Sequence, residues 1–180
     1  MQRPHLLNGA AVRRLVVELA EALGANDHRE LVIAGGSLLA LHGLRDSTID
    51  VDSLTPLDET LRNHIAQIAA QHGLRTDWLN DHALPFRPLG LRPEECDVLL
   101  EHLGLRLLGV PLPQLFLMKL DRAQEQDVAD LVRLWPIVSS TFRSVSQIVH
   151  EYLAAYPNAR EDPFLEQFLH DVARRSHLRN

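Results

Sequence analysis

The chain has 180 residues, of which 46% are hydrophobic, 23% charged and only 5% aromatic. That balance excludes a disordered chain and requires a core of Leu, Ile, Val and Ala. A net charge of −6 excludes a basic nucleic-acid module held by bulk charge; the single cysteine, Cys96, excludes a disulfide framework and a cysteine-based zinc site.

Asn8 precedes an amphipathic stretch in which Val12, Leu15, Val16, Leu19, Ala20 and Leu23 recur at helical spacing, closed by Gly24. The apolar run 31–34 reads as a buried strand that ends at Gly35-Gly36, and 37–43 reads as a short helix. Residues 48–53 alternate polar and β-branched side chains, which predicts a strand with Ile49 and Val51 on one face and Asp50 and Asp52 on the other. A helix follows from Pro56 to Gly73, then a loop-rich excursion over 74–95 with Pro85, Pro88 and Pro93. Within it, Trp78, Leu79 and Asn80 are expected to plug the loop onto the body. Strands are predicted at 96–100 and 105–110, and helices at 113–122, 125–135 (stopped by Pro136), 141–156 and 163–178. The expected fold class is α/β (α+β), a small mixed sheet flanked by helices. The weakest join, at Pro136, divides an expected core of 1–136 from a C-terminal helical extension of 137–180.

The chemistry concentrates in 31–52. Gly35 and Gly36 allow a ligand close to the backbone, and the amides of Gly36 and Ser37 open a helix toward an anion. The Ser37 hydroxyl is expected to add a donor. Two carboxylates on one strand face repel unless a cation lies between them, and hard oxygen donors suit Mg²⁺ or Mn²⁺. Lys119 stands on an otherwise apolar helix, where a lysine is costly unless paired. It either forms a structural ion pair with Asp127 or faces phosphate. The chain lacks the glycine-rich motifs of Walker and Rossmann nucleotide sites.

Gly35-Gly36-Ser37, twelve residues, then Asp50-Val51-Asp52 resembles the signature of the nucleotidyltransferase superfamily, the polymerase-β-like fold. Arg45-x-x-Thr48-x-Asp50-Val51-Asp52, the segment 74–80, and Lys119-Leu120 followed by Asp127-x-x-Asp130-Leu131 resemble the minimal members related to AbiEii-type and MenT-type toxins. The resemblance covers about residues 30–135 and implies a nucleotidyltransferase-type sheet. It implies that Gly35, Gly36 and Ser37 hold phosphates and that Asp50 and Asp52 bind the catalytic Mg²⁺ or Mn²⁺. It further implies that Arg45 and Lys119 offset triphosphate charge, while Asp127 and Asp130 orient Lys119 or line the site. The superfamily often carries a third carboxylate on a following strand, for which Asp97 is the first candidate and Glu101 the second.

The function expected on this basis is transfer of a nucleoside monophosphate from an NTP to an acceptor, either a tRNA 3′ end or a protein. The resemblance implies a toxin with a cognate antitoxin. Two other readings stand beside it: a catalytically weak nucleotide-binding regulator, and a non-enzymatic, antitoxin-like interaction protein. The first ten residues lack the apolar stretch of a secretion signal, and no run reaches the ~18 apolar residues of a membrane span, so a cytoplasmic protein with no membrane partner is expected.

Overall fold

The structure, a computed structural model, describes residues 5–122 and 124–178. The chain is a mixed α/β protein in two compact units, Met1–Pro85 with Arg92–Val110, and Phe86–Leu91 with Pro111–Asn180.

The first unit begins with α1 (Gly9–Leu23), where the Asn8 carboxamide oxygen accepts the Ala11 amide at 2.8 Å and caps the first turn. Strand β1 (Arg29–Ala34) runs directly into α2 (Gly35–Leu41) with no loop between them. Strand β2 (Val51–Ser53) leads to α3 (Glu59–His72), capped by the Asp58 carboxylate on the Leu61 amide at 2.9 Å. Strands β3 (Leu79–Asn80), β4 (Asp97–His102) and β5 (Leu105–Gly109) complete a sheet of order β3-β2-β1-β5-β4. Strand β1 lies at its centre, antiparallel to β2 and parallel to β5. Strand β3 pairs parallel with β2, and β4 antiparallel with β5.

Apolar spacing on α1 and α3 places Leu15, Leu19, Leu61, Ile65 and Ile68 in one core with Leu31 and Ile33 of β1 and Leu105 and Leu107 of β5. Each such buried Leu or Ile contributes about 1.5–3 kcal/mol of transfer free energy. Trp78 is fully buried in the same core, and its indole N–H donates to the Ile65 carbonyl at 3.1 Å. The segment before β3 is therefore anchored to α3, as a plug.

Strand β4 forms one edge of the sheet. Its ladder slips between Val98 and Leu100, and Arg13 of α1 donates to the Leu99 carbonyl at 2.8 Å. On its exposed face Arg106 of β5 bridges Glu101 of β4 and Glu30 of β1.

The second unit is helical, with α4 (Leu112–Arg122), α5 (Glu125–Thr141), α6 (Val145–Ala155) and α7 (Leu165–His177). Helix α5 packs on α4 and α7, and Phe116 of α4 meets Trp135 of α5 with ring centroids 6.1 Å apart. The short segment 86–91 joins this unit through a Leu89 amide bond to Ala155 and a Tyr156 hydroxyl bond to the Phe86 carbonyl, at 2.9 and 2.7 Å.

Four details depart from the sequence-based expectation. Helix α5 continues through Pro136 to Thr141, so the expected boundary at 136 falls inside a helix. Leu131, Leu134, Trp135 and Val138 keep one buried stripe across the proline, and that burial offsets the missing N–H. Helix α2 begins at Gly35 rather than at Ser37. Strand β2 is shorter than 48–53: Thr48 makes only an isolated bridge with Leu7, and the backbone leaves the ladder at Ile49 and Asp50. Ile49 is accordingly 42% exposed while Val51 is buried. Finally, the excursion over 74–95 contains β3, two residues too short for any periodic signal.

Trp78→Ala is expected to cost about 3–5 kcal/mol in urea unfolding, through the cavity left between α3 and β3.

Candidate functional site

The junction of β1 and α2 is built around an absence of side chains. Gly35 has φ +68°, and a β-carbon on it would stand 2.1 Å from Oδ2 of Asp52. The Asp52 carboxylate thus occupies the space that any other residue at 35 would fill. It reaches there because Ala34 pairs with Asp52 across the β1–β2 ladder. The next glycine is equally crowded: a β-carbon on Gly36 would approach Thr48 Oγ1 at 2.8 Å and Arg45 Nη1 at 3.0 Å. The loop between α2 and β2 therefore returns a guanidinium and a hydroxyl to the same turn. Arg45, expected at this site, is brought to it; Thr48 joins it without having been singled out as a site residue.

Asp50 lies one residue before β2, half-buried. Burial pushes its carboxyl above the ordinary value; Arg75 opposes this, Asp77 adds to it, and a hydrogen bond from the Asn80 side chain opposes it. Asn80 is the register partner of Asp52 on β3, and in-register residues of parallel neighbours project to one face. Asp52 and Asn80 consequently share a face, whereas Asp50 lies outside the ladder that aligns them. Asn80 is the residue that sequence reasoning missed as part of the site, because only strand pairing reveals its neighbours.

Two expected residues behave differently. Ser37 is fully buried, and its hydroxyl donates to the Ala34 carbonyl at 3.0 Å, which commits that proton to the turn itself rather than to a ligand. Asp97 is exposed on β4, and three inter-strand steps, about 14 Å, separate it from β2. The structure does not bring it to Asp52. Glu101, farther along β4, accepts from Arg106 Nε at 2.6 Å.

Among the described residues, no group of three or more His, Cys, Asp or Glu side chains is placed to share a metal ion. Mg²⁺, however, is commonly held by one or two carboxylates with the remaining positions filled by water and substrate phosphate. The Asp52 carboxylate beside the glycine turn is one oxygen donor of that kind.

The second unit holds the other expected residues in a buried ion cluster. The Lys119 ammonium donates to Asp127 Oδ1 at 3.0 Å and to Asp130 Oδ2 at 2.8 Å, with all three side chains almost wholly enclosed. Arg122 grips Asp127 at 2.8 and 2.6 Å, and Arg133 reaches Asp130 at 3.0 Å. Asp127 also accepts the Gln124 amide at 3.3 Å, closing a capping box on α5. Of the two readings of Lys119, an ion pair with Asp127 or a phosphate-facing lysine, the ion pair is present, with Asp130 as a second partner. Burial pushes the Asp127 carboxyl up, and Arg122 and Lys119 outweigh it, leaving it below its ordinary value.

Compared with known proteins, the chain matches no family model, no curated protein and no solved structure.

Gly35→Ala is expected to lose about 1–3 kcal/mol of stability in urea unfolding, because it combines a left-handed backbone with a clash against Asp52. Asp127→Asn is expected to cost about 3–5 kcal/mol at pH 7 by leaving buried cations short of a partner. A depressed carboxyl stabilises the fold above its unfolded value of 3.8 and loses that contribution as pH falls through the folded value. The gap between wild type and Asp127→Asn should therefore narrow on acidification, as urea titrations between pH 2 and 7 would record.

Proposed function

We propose that the chain is a metal-dependent nucleotidyltransferase that moves a nucleoside monophosphate from an NTP to an acceptor. The observation that carries this reading is the approach of the Asp52 carboxylate to Gly35, with Arg45 beside Gly36 on the same turn. An acidic strand residue, a glycine turn without side chains of its own and a cation within a few ångströms of one another suit a triphosphate and its counter-ion.

Asp50 and Asp52 would hold Mg²⁺ or Mn²⁺, whose charge, when bound, neutralises triphosphate oxygens. The glycine turn lets phosphate oxygens approach the backbone of α2. Arg45 adds fixed positive charge to the turn. In the reaction, an acceptor oxygen bonds to the α-phosphorus, the bond to the bridging oxygen breaks, and pyrophosphate leaves. A tRNA 3′ end or a protein side chain is the acceptor this reading favours, and a toxin with a cognate antitoxin is the biological setting that the sequence resemblance implies. The role of Lys119, Asp127 and Asp130 in this reading is to stabilise the helical unit.

A second reading has a specific observation in its favour. Asp97 lies three strands from β2, and the position in register with Asp52 on β3 carries an amide, Asn80, instead of a third carboxylate. With fewer acidic groups to activate an acceptor, the protein would bind nucleotide and turn it over slowly or not at all.

Incubation with Mg²⁺ and α-labelled NTPs in cell lysate tests both readings. Label on a macromolecule supports transfer; nucleotide binding by calorimetry without label supports the second reading. Asp50→Asn and Asp52→Asn are each expected to abolish labelling. Asp50→Asn should keep or raise the melting temperature at neutral pH, since it removes a charge that burial disfavours. Undiminished labelling by a folded Asp50→Asn, Asp52→Asn double variant would remove both carboxylates from the reaction.

A further inference from the structure

We propose that the helical unit carries a binding site for a small organic cation, an apolar body bearing one protonated amine, in a cavity lined by α4, α5, α6 and the start of α7.

The cavity has a volume of about 570 Å³, inside the ~300–1,000 Å³ range of small-molecule pockets. Its lining belongs entirely to the helical unit. Tyr152, Phe164 and Phe168 form its aromatic wall, and Leu120, Val128 and Leu165 its aliphatic one. Tyr152 is buried, whereas Phe164 is 68% exposed and leaves a ring open to a ligand. Aromatic faces carry negative potential and attract a desolvated ammonium group, while their bulk suits an apolar body.

Charge selects the same occupant. Asp121 and Asp162 both line the cavity, and Arg160 is the cation among its described residues. Two carboxylates against one guanidinium leave an excess of one negative charge. Among the described residues, no ion pair engages either carboxylate. Both are nonetheless held in place. Asp121 Oδ1 accepts the Tyr152 hydroxyl at 3.2 Å, and Asp162 Oδ1 accepts the Phe164 amide at 2.9 Å. An ionised carboxylate offers about four acceptor positions, so each keeps capacity for an ammonium donor. Burial pushes the Tyr152 hydroxyl up to about 12, and the charges of Asp121 and Asp162 add to the rise. The hydroxyl therefore keeps its proton at neutral pH and adds no third negative charge. A phosphate or nucleotide would meet net repulsion here, so the occupant is not the triphosphate of the reaction proposed above.

The test is a ¹H–¹⁵N NMR titration of the full chain at pH 7. The probes share a phenyl ring and differ in charge: 2-phenylethylamine, 2-phenylethanol and 3-phenylpropionate. The amine is expected to shift the amides of Phe164, Leu165 and Phe168 saturably. It should bind about tenfold more tightly than the alcohol, and the carboxylate probe more weakly than either. Asp121→Asn keeps an acceptor for the Tyr152 hydroxyl; it is expected to weaken the amine about tenfold and leave the alcohol unchanged. Phe164→Leu and Arg160→Ala change exposed residues, so they decide the matter if Asp121→Asn does not fold. The first should weaken the amine about two- to fivefold, and the second should tighten it. Equal binding of amine and alcohol, preference for the carboxylate probe, saturable shifts confined to other residues, or amine affinity unmoved by these variants would overturn the proposal. So would a wild-type chain that binds none of the probes. None of these readouts depends on nucleotide transfer.

Discussion

The site depends on the side chain that residue 35 lacks, because another residue fills that volume. The carboxylate of Asp52 takes the place of a side chain there, and the backbone adopts a left-handed conformation that suits glycine. This single close approach links three elements: β1 ends, α2 begins, and β2 delivers its acidic residue at the same point. The ladder between Ala34 and Asp52 makes the meeting a matter of register, so it cannot be shifted by one residue without turning the aspartate to the other face. The second glycine repeats the device for Arg45 and Thr48. Anionic and cationic groups thus converge on a turn that has no side chains of its own.

The helical unit handles charge in the opposite way. Lys119, Asp127 and Asp130 are enclosed, and each carboxylate is shared between the lysine and an arginine. Enclosure makes the cluster sensitive to the loss of any one member, because the desolvation cost of the remaining charges is no longer offset. The capping box through Asp127 ties the cluster to the start of α5, so the electrostatics and the placement of the helix are one interaction.

Much of this architecture could be read from residue order. The spacing of Val12, Leu15, Val16 and Leu19 predicts α1, and the apolar surroundings of Lys119 mark it as a lysine that is either paired or phosphate-facing. The glycine pair and the two aspartates can also be recognised. What could not be read depends on contacts distant in sequence. Asp97 was a reasonable third carboxylate until strand order placed β4 beyond β5, at the far side of the sheet. Asn80 reads in the sequence only as part of a plug with Trp78 and Leu79, because a two-residue strand has no period and the pairing with Asp52 follows only from strand order. The alternation at 48–53 overstated β2, since alternation does not reveal where the hydrogen-bonded ladder starts. The Ser37 hydroxyl, expected to add a donor for an anion, instead closes the turn on which it sits. Pro136 signalled a stop that a continuous buried stripe overrode.

The outer strand β4 has a consequence of its own. A regular, flat strand at the rim of a sheet offers unpaired amides and carbonyls to any passing chain, and is a template for aggregation. Here the ladder slip after Val98, the guanidinium of Arg13 on the Leu99 carbonyl, and the charged row of Glu101, Arg106 and Glu30 interrupt that template. At the opposite rim, β3 is too brief to seed an intruding strand. Both margins of the sheet are therefore poor templates for edge-to-edge pairing.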